Sequence, residues 1–183
     1  LGVAAIAATM GPLALASADP ARAQGAAPRF KFKEIVAGVD ADHHVAEGYD
    51  AQILIRWGDP LLPGGQPLDP MKQSAAAQKL QFGYNNDYLG YLPMPGAANP
   101  SQHGLLVVNH EYTNEELMFP GIGIQDTKDV NFAKMTPELV AIEKAASGGS
   151  VLEVKRDGGK WSVVSDSKYT RRIDAETSME ITG

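Results

Sequence analysis

The residues best placed to do chemistry are Asn109, His110 and Glu111, which directly follow the apolar run Leu105–Val108. Such a run predicts a buried strand. Polar groups beside a core need partners, because burying an unpaired one costs about 2–7 kcal/mol. On an extended backbone, Asn109 and Glu111 point to one side and His110 to the other. The two oxygen donors suit a hard cation such as calcium, and the imidazole suits a transition metal or a phosphate. A strand end whose polar residues cap turns and meet solvent explains the same residues equally well.

Two further polar clusters offer metal ligands. Residues 40–44 read Asp-Ala-Asp-His-His, which fits either a metal site or aspartates that cap their own backbone. This cluster lacks the Gly and the distant Glu of an EF-hand loop. Residues 82–88 place Asn85, Asn86 and Asp87 between aromatic residues. These three side chains supply oxygen ligands or form a turn.

Composition and missing motifs exclude several classes of function. The net charge of −6 argues against a nucleic-acid partner, because binding to phosphate backbones requires clustered Lys and Arg. The chain contains no cysteine, so it has neither a disulfide nor a nucleophilic thiol. It also lacks a Gly-x-Ser-x-Gly elbow, a P-loop and a Gly-x-Gly-x-x-Gly motif. The acidic balance suits a protein that binds cations.

Strand and helix patterns place these residues in a mainly β protein. Alternating apolar residues predict a strand over Tyr49–Trp57, the clearest in the chain, and a further one at Phe30–Phe32. Asp69 as N-cap, with Pro70 next, predicts a helix that runs through Lys79. Thr136 and Pro137 predict a second helix, which ends at Gly148-Gly149.

The last third of the chain predicts a hairpin. Val151–Arg156 and Trp161–Val164 flank the turn sequence Asp157-Gly158-Gly159. A further strand-like segment at Tyr169–Ile173 extends this to a three-stranded meander of the kind found in propeller blades. Met179–Thr182 is also strand-like. We therefore predict an antiparallel β protein with short helices in its connections.

The beginning of the chain resembles an export signal. Leu1–Ala18 is apolar and uncharged, and Ala21-Arg22-Ala23 fits the small-x-small pattern of signal peptidase, which would leave Gln24 as the mature N-terminus. We interpret residues 1–23 as an export signal whose basic n-region is missing, and residues 24–29 as a linker. A membrane anchor is the alternative, although the Ala-rich run is marginal for the ~20 apolar residues that a span needs.

Three motifs together resemble the N-terminal part of the PhoX-type alkaline phosphatases. They are Gly48–Pro60, Phe82–Tyr88 and Leu106–Phe119, which occur in order and with family-like spacing. The resemblance extends from about Phe30 to the end of the chain. The resemblance implies that residues 30–183 form the incomplete N-terminal portion of a β-propeller phosphatase domain.

The resemblance implies an exported phosphomonoesterase that hydrolyses small phosphate esters with calcium and iron. It implies export by the twin-arginine route to the periplasm or the medium, and a monomer with no stable membrane anchor after signal removal. Asn109, His110 and Glu111 are the candidate metal-site residues, with Glu111 the best candidate for a cation ligand. The family's iron site draws on a cysteine and acidic residues further downstream, so we expect this fragment to be inactive alone.

Two other functions remain compatible with the sequence. One is a noncatalytic exported propeller that binds a ligand or a partner, since a fold does not determine a function. The other keeps hydrolase chemistry but acts on a phosphodiester or a lactone.

Overall fold

The structure is a computed structural model that describes residues 33–126, 128 and 131–182. The chain divides into two units, residues 1–51 and residues 52–183. In the described part of the first unit, residues 33–51, there is no helix or strand. The predicted export signal, the linker and the strand at Phe30–Phe32 lie outside the described residues.

The second unit is built on one antiparallel sheet of five strands among its described residues. The strands are β1 (Leu89–Pro93), β2 (His103–His110), β3 (Gly148–Asp157), β4 (Lys160–Val163) and β5 (Arg171–Ile173). The order is β1-β2-β3-β4, and β5 also pairs with β3. The predicted mainly β class is confirmed, and β1 is a strand that the sequence patterns did not indicate.

Strand β3 is the centre of the sheet, and β4 and β5 share one of its edges. β2 pairs with β3 along its full length, from His103 opposite Lys155 to His110 opposite Gly148. On the other edge, β4 pairs with residues 154–157 and β5 pairs with residues 149–151. The hairpin prediction is confirmed, but the meander prediction is wrong. Because β4 is short, it leaves this edge of the first half of β3 open, and β5 pairs there.

Within the described residues, three short helices lie in the connections: α1 (Ala75–Gln78), α2 (Glu115–Met118) and α3 (Pro137–Ala146). The prediction for α3 is confirmed, since Thr136 accepts a hydrogen bond from Leu139 N–H at 3.3 Å. The helix predicted from Pro70 begins later. Asp69 caps a turn by accepting from Met71 N–H at 2.9 Å, and Ser74 is the true N-cap of α1.

The predicted strand at Tyr49–Trp57 is wrong, because its polar groups bond to side chains and loops rather than to a neighbouring strand. Arg56 N–H donates to the Asp59 carboxylate at 2.7 Å. The Gln52 amide bonds both Trp161 N–H, at 3.0 Å, and Trp161 C=O, at 2.6 Å. Ile53 is 58% exposed, so the predicted apolar face is only partly buried, at Ile55 and Trp57. The strand-like Met179–Thr182 also forms no strand.

Among its described residues, two apolar clusters form the core of the second unit. One lies on the sheet and contains Phe82, Val108, Leu152 and Val154. The other joins α2 and α3 and contains Met118, Phe119, Ile122, Ile142 and Ala146. No helix among the described residues is both long enough and apolar enough to span a bilayer.

Candidate functional site

His110 ends strand β2 and is 2% exposed. Its ring packs edge-on against Phe82, with centroids 4.8 Å apart. Gly83 N–H donates to Nε2 at 3.3 Å, and the Ser150 hydroxyl lies 2.7 Å from the same nitrogen. On the other side of the ring, Nδ1 lies 2.7 Å from Asn86 Oδ1. Because a backbone N–H only donates, Nε2 accepts, and the proton of the neutral imidazole lies on Nδ1.

The environment of His110 keeps the imidazole neutral. Burial, followed by the nearby positive charge of Arg172, lowers the pKa of His110 from 6.5 to about 3. At neutral pH the ring therefore donates from one nitrogen and accepts at the other. Both ring nitrogens are occupied by protein groups.

Asn109 attaches the segment before β1 to the end of β2. Its side-chain Oδ1 accepts from Asp87 N–H at 3.0 Å and from Tyr88 N–H at 2.7 Å. Its own N–H donates to Tyr88 C=O at 3.2 Å. The Asn109 oxygen thus satisfies two backbone donors, which is the turn-capping role that Asn residues often take.

Glu111 lies one residue beyond the strand and its side chain is exposed. Its N–H donates to Asn85 C=O at 2.9 Å, and Asn85 has a positive φ of 52°. The Glu111 carboxylate makes no hydrogen bond or ion pair with the described residues. Asn86 and Asp87 are also exposed, so three polar side chains of the joined segments face solvent.

The C-terminal end of α3 bonds to the segment that leads into Asn85 and Asn86. A helix end leaves carbonyl groups without partners, and here other elements supply the donors. Tyr84 N–H donates to Ala146 C=O at 3.0 Å, and Ala175 N–H donates to Lys144 C=O at 3.1 Å. The position of Tyr84, and hence of the residues that follow it, is therefore set by the helix.

Arg172 is a half-buried residue that bonds several elements together and that the sequence patterns did not reveal. Its guanidinium donates to Ala145 C=O at 2.5 Å and to Ser147 C=O at 3.1 Å, both at the end of α3. It also donates to carbonyl groups of three other residues, namely Gln81, Gly149 and Ile173. Burial lowers its pKa to about 10, so it remains charged at neutral pH. An Arg in a short strand has no spacing signal for such a role.

The segment after Glu111 contacts Tyr84 at one side of the site. The Tyr84 hydroxyl lies 3.3 Å from Asn114 Oδ1 and donates to it. Burial raises the pKa of Tyr84, and the carboxylate of Glu116 raises it further. Burial also raises the pKa of Glu143 on α3, which a hydrogen bond with Thr113 opposes. Titratable groups with shifted pKa values therefore surround the end of α3.

The candidate ligand residues differ in how well they fit a metal ion. The Glu111 carboxylate is exposed and has no partner among residues 33–126, 128 and 131–182, which fits a calcium ligand. His110 and Asn109 are placed beside it, but their ligating atoms already bond protein groups. Within the part of the chain that the structure describes, no group of three or more His, Cys, Asp or Glu side chains could hold a metal ion. These residues therefore do not fit an iron site by themselves.

The cluster at residues 40–44 uses its polar groups internally. Asp40 accepts from Asp42 N–H at 2.9 Å, and its other carboxylate oxygen lies 2.7 Å from His44 Nε2. The backbone hydrogen bond, followed by the one to His44, lowers the pKa of Asp40. This geometry matches an aspartate that caps its own backbone.

Known proteins similar to this chain belong to one family. A family model described as alkaline phosphatase PhoX matches residues 30–183. The solved structure of Pseudomonas fluorescens PhoX in complex with vanadate, a transition state analogue, is 36% identical in sequence, with a TM-score of 0.60. The similarity covers 72% of this chain and 21% of that one, so this chain spans about a fifth of the PhoX structure. No curated protein matches the chain.

Proposed function

The chain belongs to the PhoX family of alkaline phosphatases, and from this premise we propose that it is the N-terminal portion of an exported, metal-dependent phosphomonoesterase. Its substrates are small phosphate esters, and the complete protein is a monomeric β-propeller. The observation that carries this proposal is the family match over residues 30–183. Because the chain spans about a fifth of the similar PhoX structure, the fragment alone is expected to be inactive.

Glu111 is the residue that we assign to cation binding. Its carboxylate has no hydrogen-bond or ion-pair partner in the part of the chain that the structure describes, whereas its backbone N–H donates to Asn85 C=O at 2.9 Å. A bound calcium ion would neutralise the negative charge of phosphate oxygens. Asn109 and His110 belong to the same site and hold the segment before β1 against Glu111. Iron would need ligands from outside the described residues.

The proposal is tested on the full-length protein with an aryl phosphate monoester. We expect phosphate release that a calcium chelator abolishes and that added calcium restores. Vanadate is expected to inhibit, because it occupies the similar PhoX structure as a transition state analogue. Activity that is independent of metal, or no activity at all, would contradict the proposal.

A variant pair tests the role of Glu111. Glu111→Gln removes the charge while keeping the shape, and we expect it to lower kcat/KM by about 10–100-fold together with the calcium content. Glu180→Gln is the matched control, since Glu180 is exposed and lies outside the site. Unchanged calcium content and rate in Glu111→Gln would instead favour a noncatalytic binding module.

The preferred substrate distinguishes the proposed phosphomonoesterase from the remaining alternative. A phosphodiesterase or a lactonase would hydrolyse a bis-aryl phosphodiester or a lactone faster than the monoester. We expect the monoester to have the highest kcat/KM of the three.

Export is proposed from residues 1–23, followed by the linker at 24–29. We expect a mature N-terminus at Gln24 and recovery in the periplasm or the medium. Expression in a host without the twin-arginine translocase checks the route, because the protein should then stay in the cytoplasm. Export that continues in that host would contradict the twin-arginine route.

A further inference from the structure

The His110 imidazole is held in a single orientation. Phe82 packs edge-on against the ring at a centroid distance of 4.8 Å. Nε2 receives Gly83 N–H at 3.3 Å and the Ser150 hydroxyl at 2.7 Å. Rotating the ring would deprive the buried Gly83 N–H of its acceptor, and a buried donor without an acceptor is unfavourable.

This orientation determines which way the Asn86 amide faces. Nε2 is an acceptor, so Nδ1 carries the hydrogen and donates it to Asn86 Oδ1 at 2.7 Å. The amide oxygen of Asn86 is therefore turned toward the buried ring. The amide nitrogen has no hydrogen-bond partner among the described residues, and the side chain is exposed.

The backbone on both sides of Asn86 is held as well. Asn85 C=O accepts from Glu111 N–H at 2.9 Å, and Asp87 N–H donates to Asn109 Oδ1 at 3.0 Å. Both the main chain and the side chain of Asn86 are thus fixed relative to Glu111.

We propose that His110 is a positioning residue, which fixes the Asn86 amide so that its nitrogen, rather than its oxygen, faces an anionic substrate at the Glu111 site. This inference rests on the proposed function and identifies a group that selects for a phosphoryl oxygen. An amide nitrogen donates to such an oxygen, whereas an amide oxygen repels it. The imidazole holds the Asn86 amide in this one orientation before the substrate binds. Less conformational freedom of Asn86 is then lost on binding.

The test uses the full-length protein and three variants. Asn86→Ala removes the donor from an exposed position. His110→Ala removes the group that orients it. His110→Asn places an amide nitrogen at the δ position of the side chain, where Nδ1 of histidine stands, and can still donate to Asn86. Initial rates with an aryl phosphate monoester give kcat and KM, inorganic phosphate gives a competitive inhibition constant, and calcium content is measured for each variant.

We expect Asn86→Ala and His110→Ala each to lower kcat/KM by about 10-fold or more and to weaken phosphate inhibition, with calcium content unchanged. His110→Asn should recover part of the loss. Ser150→Ala is the matched control, because Gly83 N–H still fixes the ring, and its kinetic effect should be smaller.

A second readout does not depend on activity. Long-range nitrogen–proton correlation spectra of the imidazole are expected to show the tautomer protonated at Nδ1 in the wild type. If His110→Ala folds poorly, the exposed Asn86→Ala variant still decides the matter through its kinetics.

The outcomes are distinct. An active wild type with unchanged kcat/KM in Asn86→Ala overturns the inference but leaves the proposed function standing. Loss of calcium in His110→Ala also overturns it, because His110 would then be a metal ligand. The Nε2-protonated tautomer overturns it as well. A wild type without phosphatase activity removes the proposed function, and the inference with it.

Discussion

Gly83 lies directly against the imidazole of His110. A β-carbon at position 83 would stand 2.4 Å from two carbons of the His110 ring and 2.5 Å from the carbonyl oxygen of Ala146. The same glycine donates its N–H to the ring. Position 83 is therefore a close approach of three elements, and only a residue without a side chain fits between them.

Gly83→Ala is expected to destabilise the protein by about 3 kcal/mol, because the ring and the helix carbonyl cannot both move away. Chemical denaturation of the full-length protein measures the change. Gly38→Ala is the control, since a β-carbon at position 38 meets nothing within 4 Å. Equal stability of the two variants would show that the close approach tolerates a methyl group.

Arg172→Lys is expected to cost about 3 kcal/mol or more, because an ammonium cannot reach all the carbonyl groups that the guanidinium bonds. The loss appears as a lower thermal unfolding midpoint of the full-length protein. Arg171→Lys is the matched neighbour, since its guanidinium bonds only exposed carbonyl groups, at Lys168 and Thr170. We expect little change there, and a similar loss in both variants would contradict the role of Arg172.

Glu153 is expected to make stability depend on pH. Ser167 donates to one carboxylate oxygen at 2.5 Å and His103 Nε2 lies 2.6 Å from the other. The hydrogen bond from Ser167, followed by that from His103, lowers the pKa of Glu153 below its ordinary 4.5. A depressed folded-state pKa stabilises the protein above the unfolded-state value, and this contribution is lost as the pH falls through the folded-state value.

Glu153→Gln therefore should lower stability at pH 7 by about 1–3 kcal/mol, and the difference from wild type should shrink below about pH 4.5. Unfolding midpoints measured at several values between pH 3 and pH 7 check this expectation. Glu180→Gln provides an exposed control. A difference from wild type that grows as the pH falls would have the wrong sign.

Thr136→Ala is expected to cost about 1 kcal/mol, because Leu139 N–H loses its side-chain acceptor at the start of α3. Thr136→Ser keeps a hydroxyl and should retain most of the stability. Equal losses in the two variants would show that the methyl group of Thr136, and not its oxygen, stabilises the helix end.

Elements that depend on nearby residues could be predicted from the sequence. The cap at Thr136 with Pro137, and the turn at Gly158-Gly159 between β3 and β4, are signals contained in a few consecutive residues. Strand β2 was indicated by a continuous apolar run. Local chemistry determines such features, so no distant partner needs to be known.

The predictions that were wrong concern segments whose structure depends on residues far away in the sequence. Tyr49–Trp57 has the alternation of a strand, yet the Gln52 amide bonds Trp161, which is 109 residues away. Strand β5 was located correctly, but its pairing with β3 depends on how far β4 extends. The alternation of apolar and polar residues indicates that a segment is able to form a strand. It does not specify which other strand that segment pairs with.

The amino-acid sequence by itself determined the family, the mainly β class and the unusual run Asn109-His110-Glu111. Only the tertiary structure decided what each of these three side chains bonds. His110 and Asn109 bond protein groups from residues 83–88 and from Ser150, while the Glu111 carboxylate bonds none of the residues that the structure describes. The physical reason is that a side chain's bonds depend on which groups the folded sheet and helix α3 bring within 3 Å, and sequence spacing does not contain those distances.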